Sequence, residues 1–342
     1  MKIPLIVPLD SGSIGHFVRD FDIMESYREE VLGPDSCRIY YVPRSWVCNQ
    51  YFLSLIGRHK STLPHFPFFL AHKVMHKAFK SYARSCDLFM SKHISRLSSW
   101  HSKPQIIIPK ESDVRSIYKL LGTYLDLERP IITLVVRDSG YDHFYRNRTG
   151  DNEILDRQAY RNTPIESFIP VIRFFTSRGY SVVRTGRHSN TSLTSNEPNF
   201  LDYSVNESLH SDMADVLIPY ISEFGLSTGS GVDEFLNFFR KPIIRFNVSP
   251  AGTIPISPIS CHNLLPDYLD LISGKKLPLS RVLREPLFST PPYQLLESNK
   301  IKVVPKSPEL MLEFAKLTTL TRDSGTTKRY PKYFQRIGPY FY

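Results

Sequence analysis

The stretch EFGLSTGSGVDEFLNFFRKPIIRFN, residues 223–247, decides the fold, because it combines strand, loop and helix signals in one short segment. EFGLS and PIIRFN are short apolar runs that predict strands, and VDEFLNFF between them has helical spacing. Two strands joined through a helix are typical of a parallel sheet. The Ser-Thr-Gly-Ser-Gly turn is therefore predicted at the carboxyl end of a strand, where open α/β sheets bind ligands.

The same alternation of strand and helix signals runs along most of the chain. Strands are predicted in IPLIVPL, RIYYV, PQIIIP, PIITLVVRDS and YSVVRTG. Helices are predicted in IGHFVRDFDIMESYREEVLG, DVRSIYKLLGTYLDL, SDMADVLIPYI and TPIESFIPVIRFFTSRG, the last with Thr163 as its N-cap. Because this rhythm restarts near residue 130, we expect two α/β domains, residues 1–125 and 126–285, followed by a C-terminal extension, residues 286–342, which packs on the domains or forms a mobile end.

Composition favours a folded protein with an anionic partner. The 342 residues are 41% hydrophobic, which argues against global disorder, and carry a formal net charge of +10. The four cysteines show no metal-ligand spacing, and no apolar stretch is long enough for a membrane span. We therefore expect a soluble, cytoplasmic protein.

The Ser-Thr-Gly-Ser-Gly turn has the composition of a phosphate-binding loop. Its glycines allow close backbone approach, its hydroxyls can donate hydrogen bonds, and a helix start follows at once. The turn comprises Thr228, Gly229, Ser230 and Gly231, and Glu234 stands one turn into the helix, where a carboxylate can reach a ribose diol. The alternative is an ordinary turn in which Ser230 only caps the helix and Glu234 faces solvent.

A similar loop, DSGSIGH, lies between the first predicted strand and the first predicted helix. His16 stands at the helix start, and histidine is the side chain best suited to proton transfer near neutral pH. His16 is therefore a candidate base. The alternative is a histidine that merely caps or packs against the helix.

Polar residues close two other predicted strands. Arg137 and Asp138 follow ITLVV, and Arg184, Gly186 and Arg187 follow YSVV. Arginines at the carboxyl ends of parallel strands can meet phosphates in a shared crevice, although each alone is more often a surface residue. The DFD triplet, residues 20–22, resembles a metal motif but falls inside a predicted helix, so no metal ion is expected.

The segment 58–103 concentrates positive charge. It holds nine Lys and Arg residues against the single Asp87, and residues 70–84 show a basic face opposite an apolar one. Such a helix can lie on an anionic membrane surface, or it can be an ordinary helix with a solvated basic face. No nucleic-acid-binding motif is present, so nucleic acid is not an expected partner.

Several segments in order resemble a family of glycosyltransferases associated with bacterial surface-polysaccharide biosynthesis. The resemblance covers roughly residues 12–250, and it rests on GSIGHFVRDFD, VVRDSGY, YRNTPIESFIPVIRFFTSRGYSVVRTG, FLDYS and STGSGVDEFLNFFRKPIIRFN. It implies a GT-B-like fold of two Rossmann-like domains with a central crevice. The N-terminal domain would meet the acceptor and the C-terminal domain the nucleotide sugar, with no metal.

The resemblance also implies roles for particular residues. The loop 228–231 would bind the donor diphosphate, Glu234 the ribose, and Arg137 the departing charge, while His16 would be the base. Asp138, Arg184 and Gly186 border the same donor site. Tyr160, Arg161 and Asn162 match a family signature without an assigned role. Gly229 departs from the family loop, which reads Thr-Ser-Ser-Gly, and residues 50–105 match no part of the family.

The sequence hypothesis is therefore transfer of a sugar from a nucleotide-sugar donor to a hydroxyl of a surface glycan, free or lipid-linked. The enzyme would be cytoplasmic or peripheral on the inner face of the membrane. Two alternatives stay open: a sugar-nucleotide 2-epimerase-like enzyme, suggested by GSGVDEF, and a non-enzymatic module that binds nucleotide or membrane. The sequence names neither the donor base nor the sugar, acceptor or linkage.

Overall fold

The structure is a computed structural model. It describes residues 5–9, 11–26, 38–41, 47–59, 62–63, 105–150, 158–193, 196–253, 261–284, 287–288 and 293–323. Except for residues 58–59 and 62–63, the basic segment 58–103 lies outside the described residues. So does the part of the first predicted helix beyond Ser26.

The N-terminal half contributes a parallel sheet with the described strands in the order β1–β2–β3. Its elements in chain order are β1 (Leu5–Pro8), α1 (Ile14–Ser26), β2 (Arg38–Tyr41), α2 (Gln50–His59), β3 (Thr62–Leu63) and α3 (Glu111–Leu121). The strands predicted in IPLIVPL and RIYYV are thus confirmed. In α1 the side chains of Phe17, Val18 and Phe21, which recur at helical spacing, are fully buried.

A larger parallel sheet has six strands in the order β6–β5–β4–β7–β8–β9. They are β4 (Ile131–Val135), β5 (Ser181–Arg184), β6 (Phe200–Asp202), β7 (Phe224–Ser227), β8 (Ile243–Phe246) and β9 (Cys261–Leu264). Strands β4, β5, β7 and β8 are buried along their whole length, as expected when helices cover both faces. The strand order reverses between β4 and β7, which defines a doubly wound sheet.

Four helices connect these strands: α4 (Gly140–Thr149), α5 (Ile169–Thr176), α6 (Asp212–Ile221) and α7 (Glu234–Phe238). The last follows a short 3₁₀ turn, Gly231–Asp233. At the start of α6, the side-chain oxygen of Ser211 accepts a hydrogen bond from the backbone N–H of Ala214 at 3.0 Å. This N-cap explains why the helix begins where the acidic first turn predicted it.

The C-terminal part adds an antiparallel pair and three helices. They are β10 (Asp267–Asp270), α8 (Leu279–Val282), α9 (Tyr293–Ser298), β11 (Ile301–Val304) and α10 (Pro308–Asp323). Helix α10 packs beside α5, and Met311, Phe314 and Ala315 join the core on that face of the larger sheet. The described part of the predicted extension therefore packs on the fold, with buried side chains as far as Thr319.

The opposite face of the larger sheet is covered by helices from both halves of the chain. Phe52 of α2 packs edge-on against Phe235 and Phe238, with ring centroids 5.5 and 5.4 Å apart, and Phe17 and Phe21 of α1 complete the group. Truncating a buried phenylalanine to alanine costs about 3–5 kcal/mol. The described parts of the two halves thus share one apolar core.

One predicted strand is wrong. PQIIIP forms no strand: Ile107 is buried in the core, whereas the side chain of its neighbour Ile108 is 76% exposed. The flanking prolines remove N–H donors that a sheet ladder requires, so the run instead leads as irregular chain into α3.

The start of one predicted helix is also wrong. Residues Ile165–Phe168 form a 3₁₀ turn, and α5 begins only at Ile169. Pro170 has no N–H, so the α-helical bond back to Glu166 cannot form across this point. Thr163 is not the N-cap, because its buried hydroxyl has no hydrogen-bond partner among the described residues.

Candidate functional site

Two loops leave the larger sheet at its switch point and are tied together there. One follows β4 and begins with Arg137, and the other follows β7 and begins with Thr228. The hydroxyl of Thr228 accepts a hydrogen bond from the N–H of Arg137 at 2.8 Å, and the N–H of Thr228 donates to the carbonyl of Val135 at 3.0 Å. The predicted loop therefore lies at the crevice where doubly wound sheets bind ligands.

The glycine loop after β7 is supported from beneath by buried charge. The hydroxyl of Ser227 accepts a bond from the N–H of Gly229 at 2.9 Å and donates to Asp233 at 2.7 Å. The Nε of Arg245 also donates to Asp233, at 3.3 Å, and these two side chains are 2% and 6% exposed. Because Gly229 has a φ of +79°, a left-handed value that glycine adopts without strain, the turn can fold down onto Ser227.

Three backbone N–H groups of this loop donate to no acceptor among the described residues. They belong to Ser230, Gly231 and Val232, whereas the N–H groups of Thr228 and Gly229 donate hydrogen bonds within the fold. The side chain of Ser230 makes no capping hydrogen bond. The capping alternative for Ser230 is thus not what the structure shows, and the loop presents backbone donors of the kind that bind anions.

The two glycine loops predicted from the sequence touch each other. A Cβ atom built on Gly15, at the start of α1, would lie 2.8 Å from the Cα of Gly231. His16 comes next in α1 and is exposed. Ser13 of the same loop lies close enough to the hydroxyl of Tyr141, in the first turn of α4, to oppose the rise in its pKa that burial causes. The loops after β1, β4 and β7 therefore meet at one place.

Arg137 points to a carboxylate of its own half. Its Nη2 donates to Asp142 at 2.6 Å, and the two side chains are 9% and 2% exposed. Burial raises the pKa of Asp142, although the charge of Arg137 opposes this. The Nε of Arg137 and the second carboxylate oxygen of Asp142 are buried without a partner among the described residues. The pair therefore keeps unused hydrogen-bonding capacity next to the loop.

Arg161, which had no assigned role, contacts the glycine loop directly. It ends a 3₁₀ turn, Ala159–Arg161, and its Nη2 donates to the carbonyl of Gly229 at 2.8 Å. Burial lowers the pKa of Arg161, and the nearby charge of Arg137 lowers it further. Its Nε is buried and has no partner in the described part of the chain. Two guanidinium groups that repel each other thus stand beside the loop.

The other two signature residues flank Arg161 differently. Tyr160 packs against an apolar cluster that includes Tyr268 and Val303, and burial raises the pKa of its hydroxyl. The side-chain oxygen of Asn162 is buried with no partner among the residues described. Tyr160 therefore anchors the turn, while Arg161 and Asn162 carry its unused polar atoms.

Asp138 and Arg184 hold the loop that follows β5 in place. Asp138 accepts hydrogen bonds from Arg184 at 3.3 Å, the N–H of Asn190 at 3.1 Å and the hydroxyl of Thr191 at 3.0 Å. Arg184 is fully buried and also binds Asp202 at 3.1 Å. Contact of Arg184 with a phosphate would require these ion pairs to open, so its donor-binding role stays a prediction.

Two further predicted positions lie beside this network. Gly186 turns the chain after β5 with a φ of +102°. Arg187, which was predicted to meet phosphate, instead pairs with Asp212 at 2.5 Å and Asp215 at 2.6 Å at the start of α6. Both residues shape the chain at the end of β5, and their contact with a donor stays a prediction.

Glu234 lies between the two halves of the chain. It is partly buried at the start of α7, and it accepts a hydrogen bond from Asn237 at 2.9 Å. Burial, together with the adjacent charge of Asp233, raises the pKa of Glu234 to about 7, although Arg19 of α1 acts in the opposite direction. Glu234 is therefore not the solvent-facing carboxylate of the alternative interpretation.

Another inter-half contact explains the DFD triplet. Asp22 lies inside α1, fully buried, and accepts two hydrogen bonds from Arg240 at 2.6 and 2.9 Å. Within the described ranges no group of three or more His, Cys, Asp and Glu residues is arranged to hold a metal ion. Likewise, none of the described helices is long and apolar enough to cross a membrane.

Sequence reasoning missed several residues that build the site. Asp142, Ser227, Asp233 and Arg245 act through hydrogen bonds to loop residues and not through any recognisable motif. A weak signal was present, because Ser227 and Asp233 bracket the glycine turn. Their pairing with Arg245 depends on β8 lying beside β7, which only the sheet order reveals.

Comparison with known proteins identifies the fold. No family model matches the sequence, and no curated protein matches it. The structure is similar to that of E. coli ADP-heptose LPS heptosyltransferase II, with 14% identity and a TM-score of 0.50 over 94% of this chain and all of that one. It is also similar to the glycosyl transferase family 9 protein of Veillonella parvula DSM 2008, with 12% identity and a TM-score of 0.51 over 94% and 99% of the two chains.

At such identities the likeness shows the fold alone. It confirms the predicted α/β, GT-B-like fold, to which the six-stranded parallel sheet of the C-terminal half belongs. The domain boundaries, the roles of the site residues and the resemblance to one particular polysaccharide family stay predictions.

Proposed function

We propose that this protein is a metal-independent glycosyltransferase that moves a sugar from a nucleotide-sugar donor to a hydroxyl of a surface-glycan acceptor, free or lipid-linked. One observation carries the proposal: two glycine loops from the two halves of the chain touch at the switch point, at Gly15 and Gly231. Beside them stand Arg137 and Arg161, whose unused buried nitrogens suit an anionic group.

The arrangement suggests how a donor diphosphate is held. The N–H groups of Ser230, Gly231 and Val232 would donate to phosphate oxygens, and Arg161 would reach them from its position on the Gly229 carbonyl. Glu234 would accept hydrogen bonds from the ribose hydroxyls. Because no described residue cluster suits a metal, the protein's own positive groups would have to balance the diphosphate.

The reaction follows from this placement. The acceptor oxygen would form a bond to the anomeric carbon while the bond from that carbon to the diphosphate breaks. The acceptor proton would pass to His16, which is exposed beside the loop contact. The electron pair of the broken bond leaves on the diphosphate, where Arg137, Arg161 and the loop amides would stabilise it.

The similar folds support the same chemistry. The E. coli protein of similar fold is an ADP-heptose LPS heptosyltransferase. By analogy, we propose a nucleoside-diphosphate sugar as the donor of this chain and a lipopolysaccharide-type glycan as its acceptor. Such an enzyme would work in the cytoplasm or on the inner face of the membrane.

A thermal-shift screen over ADP-, UDP-, GDP-, dTDP- and CMP-sugars tests the donor site. A ligand at a hundredfold excess over its Kd raises stability by about 2.7 kcal/mol. We expect one nucleoside-diphosphate sugar to stabilise the protein, and Arg161→Gln to lose most of that shift and about 10²–10³ in transfer rate. Arg115→Gln, at an exposed position of α3, is the matched control. A full shift in Arg161→Gln would contradict the assignment.

Arg137 needs a paired variant. Arg137→Ala alone would leave Asp142 buried without its partner and could unfold the site. Arg137→Gln combined with Asp142→Asn keeps shape and removes both charges. We expect this double variant to fold and to lose about 10²–10³ in transfer rate, and normal activity would remove Arg137 from the mechanism.

The same assays separate the alternatives. Conversion of a UDP-sugar without any acceptor would indicate an epimerase, because a transferase needs the acceptor hydroxyl. Nucleotide binding with no turnover over a panel of glycan acceptors would favour a non-enzymatic module.

A further inference from the structure

The turn that follows β10 presents two large apolar side chains to solvent. Leu271 and Ile272 are 52% and 81% exposed, and they are adjacent in sequence at the tip of the turn. Single exposed apolar residues are common on protein surfaces and need no explanation. Two adjacent exposed apolar residues at the end of a projecting turn, in contrast, do need an explanation.

Hydrogen bonds hold this tip in shape. The N–H of Asp270 donates to the carbonyl of Lys275 at 2.9 Å, and the N–H of Gly274 donates to the carbonyl of Asp270 at 2.8 Å. The carboxylate of Asp270 accepts from the N–H of Ile272 at 2.9 Å. Gly274 supplies the left-handed φ of +67° that closes the turn. The exposure of Leu271 and Ile272 is therefore built into the backbone.

Lysines surround the tip. Lys275 follows it, Lys302 lies on the neighbouring strand β11, and Lys300 immediately precedes that strand. The carbonyl of Lys300 accepts a hydrogen bond from the N–H of Leu271 at 2.8 Å. All three are exposed and form no ion pair within the described ranges. The carboxylate of Asp270 stays negative, because its partners within the turn are the uncharged N–H of Ile272 and the hydroxyl of Ser273, which lower its pKa. The tip is thus an apolar point beside three lysines and one carboxylate, with a net positive charge.

We propose that the tip formed by Leu271 and Ile272, with Lys275, Lys300 and Lys302 around it, inserts into the surface of an anionic lipid bilayer. Apolar side chains enter the boundary between headgroups and acyl chains, and lysines beside them stay in the headgroup layer and attract acidic lipids. A bilayer fits better than a protein partner, because two apolar side chains at one turn offer little area for a protein interface, whereas the net positive charge beside them suits acidic headgroups.

The tip lies near the candidate site, so that insertion of the tip into a bilayer would bring the site close to the membrane. Tyr268 of β10 packs in the same cluster as Tyr160, and the next residue, Arg161, binds the Gly229 carbonyl. Ile272 lies four residues beyond Tyr268, which is about 13 Å along an extended chain. A bilayer at the tip would therefore lie close to the loops. The tip consists of other residues than the basic segment 58–103, and its test does not depend on sugar transfer.

A fluorescent reporter at the tip tests insertion directly. In Ile272→Trp, we expect the added emission to shift to shorter wavelength, and to be quenched by brominated acyl chains, when phosphatidylcholine vesicles contain phosphatidylglycerol. The matched control is Leu310→Trp on α10, whose parent side chain is 41% exposed. We expect that reporter to stay in water.

Two tip variants complete the design, measured by co-sedimentation with the same vesicles. Leu271→Ser with Ile272→Ser should weaken binding at least about tenfold. Lys275→Gln, Lys300→Gln and Lys302→Gln together should weaken it by about fivefold for each lysine, and so about a hundredfold in all. Vesicle binding with the 272 reporter still in water would overturn the proposal and leave the basic segment as the membrane contact. Absence of vesicle binding would also overturn it, and the tip would then be expected to meet a protein.

Discussion

The two glycine loops that meet at Gly15 and Gly231 look alike in sequence but are supported differently. The loop after β7 rests on Asp233 and Arg245, a buried charge pair, and Arg161 binds its backbone. The loop after β1 contacts its neighbours through backbone groups: the carbonyl of Ser11 accepts a hydrogen bond from the N–H of Cys48 at 2.9 Å, and Gly15 packs against Gly231. It ends at an exposed histidine.

In the proposed function, this difference separates two tasks within one site. Fixed charge behind a loop holds backbone donors in one geometry, which suits the binding of a phosphate. An exposed titratable side chain at the other loop can exchange a proton with a substrate or with water. Under this proposal, similar Gly-Ser turns serve binding in one half and chemistry in the other.

The largest effect is expected from removing the histidine. His16→Gln should lower the transfer rate by about 10²–10⁴ while leaving donor binding unchanged. The fall in rate toward acidic pH that a histidine base produces should disappear with it. The check is a pH–rate profile of both proteins at saturating donor. A near-normal rate with the acid limb preserved would assign the base to another group.

Breaking the charge pair should mainly affect folding. Asp233→Ala removes the carboxylate that faces the buried guanidinium of Arg245, so we expect a loss of about 3–5 kcal/mol in the free energy of unfolding. Glu111→Ala breaks the exposed pair with Arg115 and should cost less than about 1 kcal/mol. Urea unfolding of both variants makes the comparison, and equal losses would show that the buried pair does not support the loop.

Separating the loops should cost less stability but should weaken donor binding. The Cβ of Gly15→Ala would press on the backbone of Gly231, so we expect about 1–3 kcal/mol of destabilisation and a reduced donor-induced thermal shift. Gly150→Ala has open space but a φ of +75°, so about 1 kcal/mol of strain is expected with the donor shift intact. An unchanged donor shift in Gly15→Ala would mean that the loop contact is not needed for binding.

The smallest effect concerns the pH dependence of donor binding. Because the pKa of Glu234 is raised to about 7, its ionised form, which is proposed to accept the ribose hydrogen bonds, becomes populated as pH rises through 7. Calorimetry should show affinity increasing about tenfold between about pH 6 and 8 in the wild type. The dependence should be flat in Glu234→Gln and retained in the exposed control Glu166→Gln. A wild-type affinity that falls over this range would contradict the ribose assignment.

The carboxyl group of Glu234 should also make the free energy of unfolding depend on pH. In the folded state Glu234 keeps its proton to higher pH than in the unfolded chain. It therefore favours folding most below the pKa of an ordinary glutamate, and this contribution is lost as pH rises toward 7. The free energy of unfolding of the wild type should fall over that interval relative to Glu234→Gln.

Much of the fold could be predicted from the sequence, because strand and helix periods alternate clearly around the glycine loops. The strand, loop, helix and strand around the glycine turn followed from one segment, residues 223–247. The strand prediction failed at PQIIIP, where the apolar pattern was right but prolines remove ladder donors. It also failed at the start of α5, where Pro170 forces a 3₁₀ turn first.

The supporting residues of the site could not be predicted from local patterns. Arg161 meets Gly229 across 68 positions of chain, and Arg240 meets Asp22 across 218. Arg184 and Arg245 are buried in strands, where sequence rules expect apolar residues, because each finds a carboxylate on another element. These pairs of a buried arginine and a carboxylate depend on the order of strands in the sheet, which the spacing of residues in the sequence does not reveal.

A crystal structure with an unreactive analogue of the nucleoside-diphosphate sugar that gives the largest thermal shift tests the central claim most directly. We expect diphosphate oxygens within hydrogen-bonding distance of the N–H groups of Ser230 or Gly231 and of the guanidinium of Arg161, with the anomeric carbon toward His16. A diphosphate bound away from the contact of Gly15 with Gly231 would contradict the account.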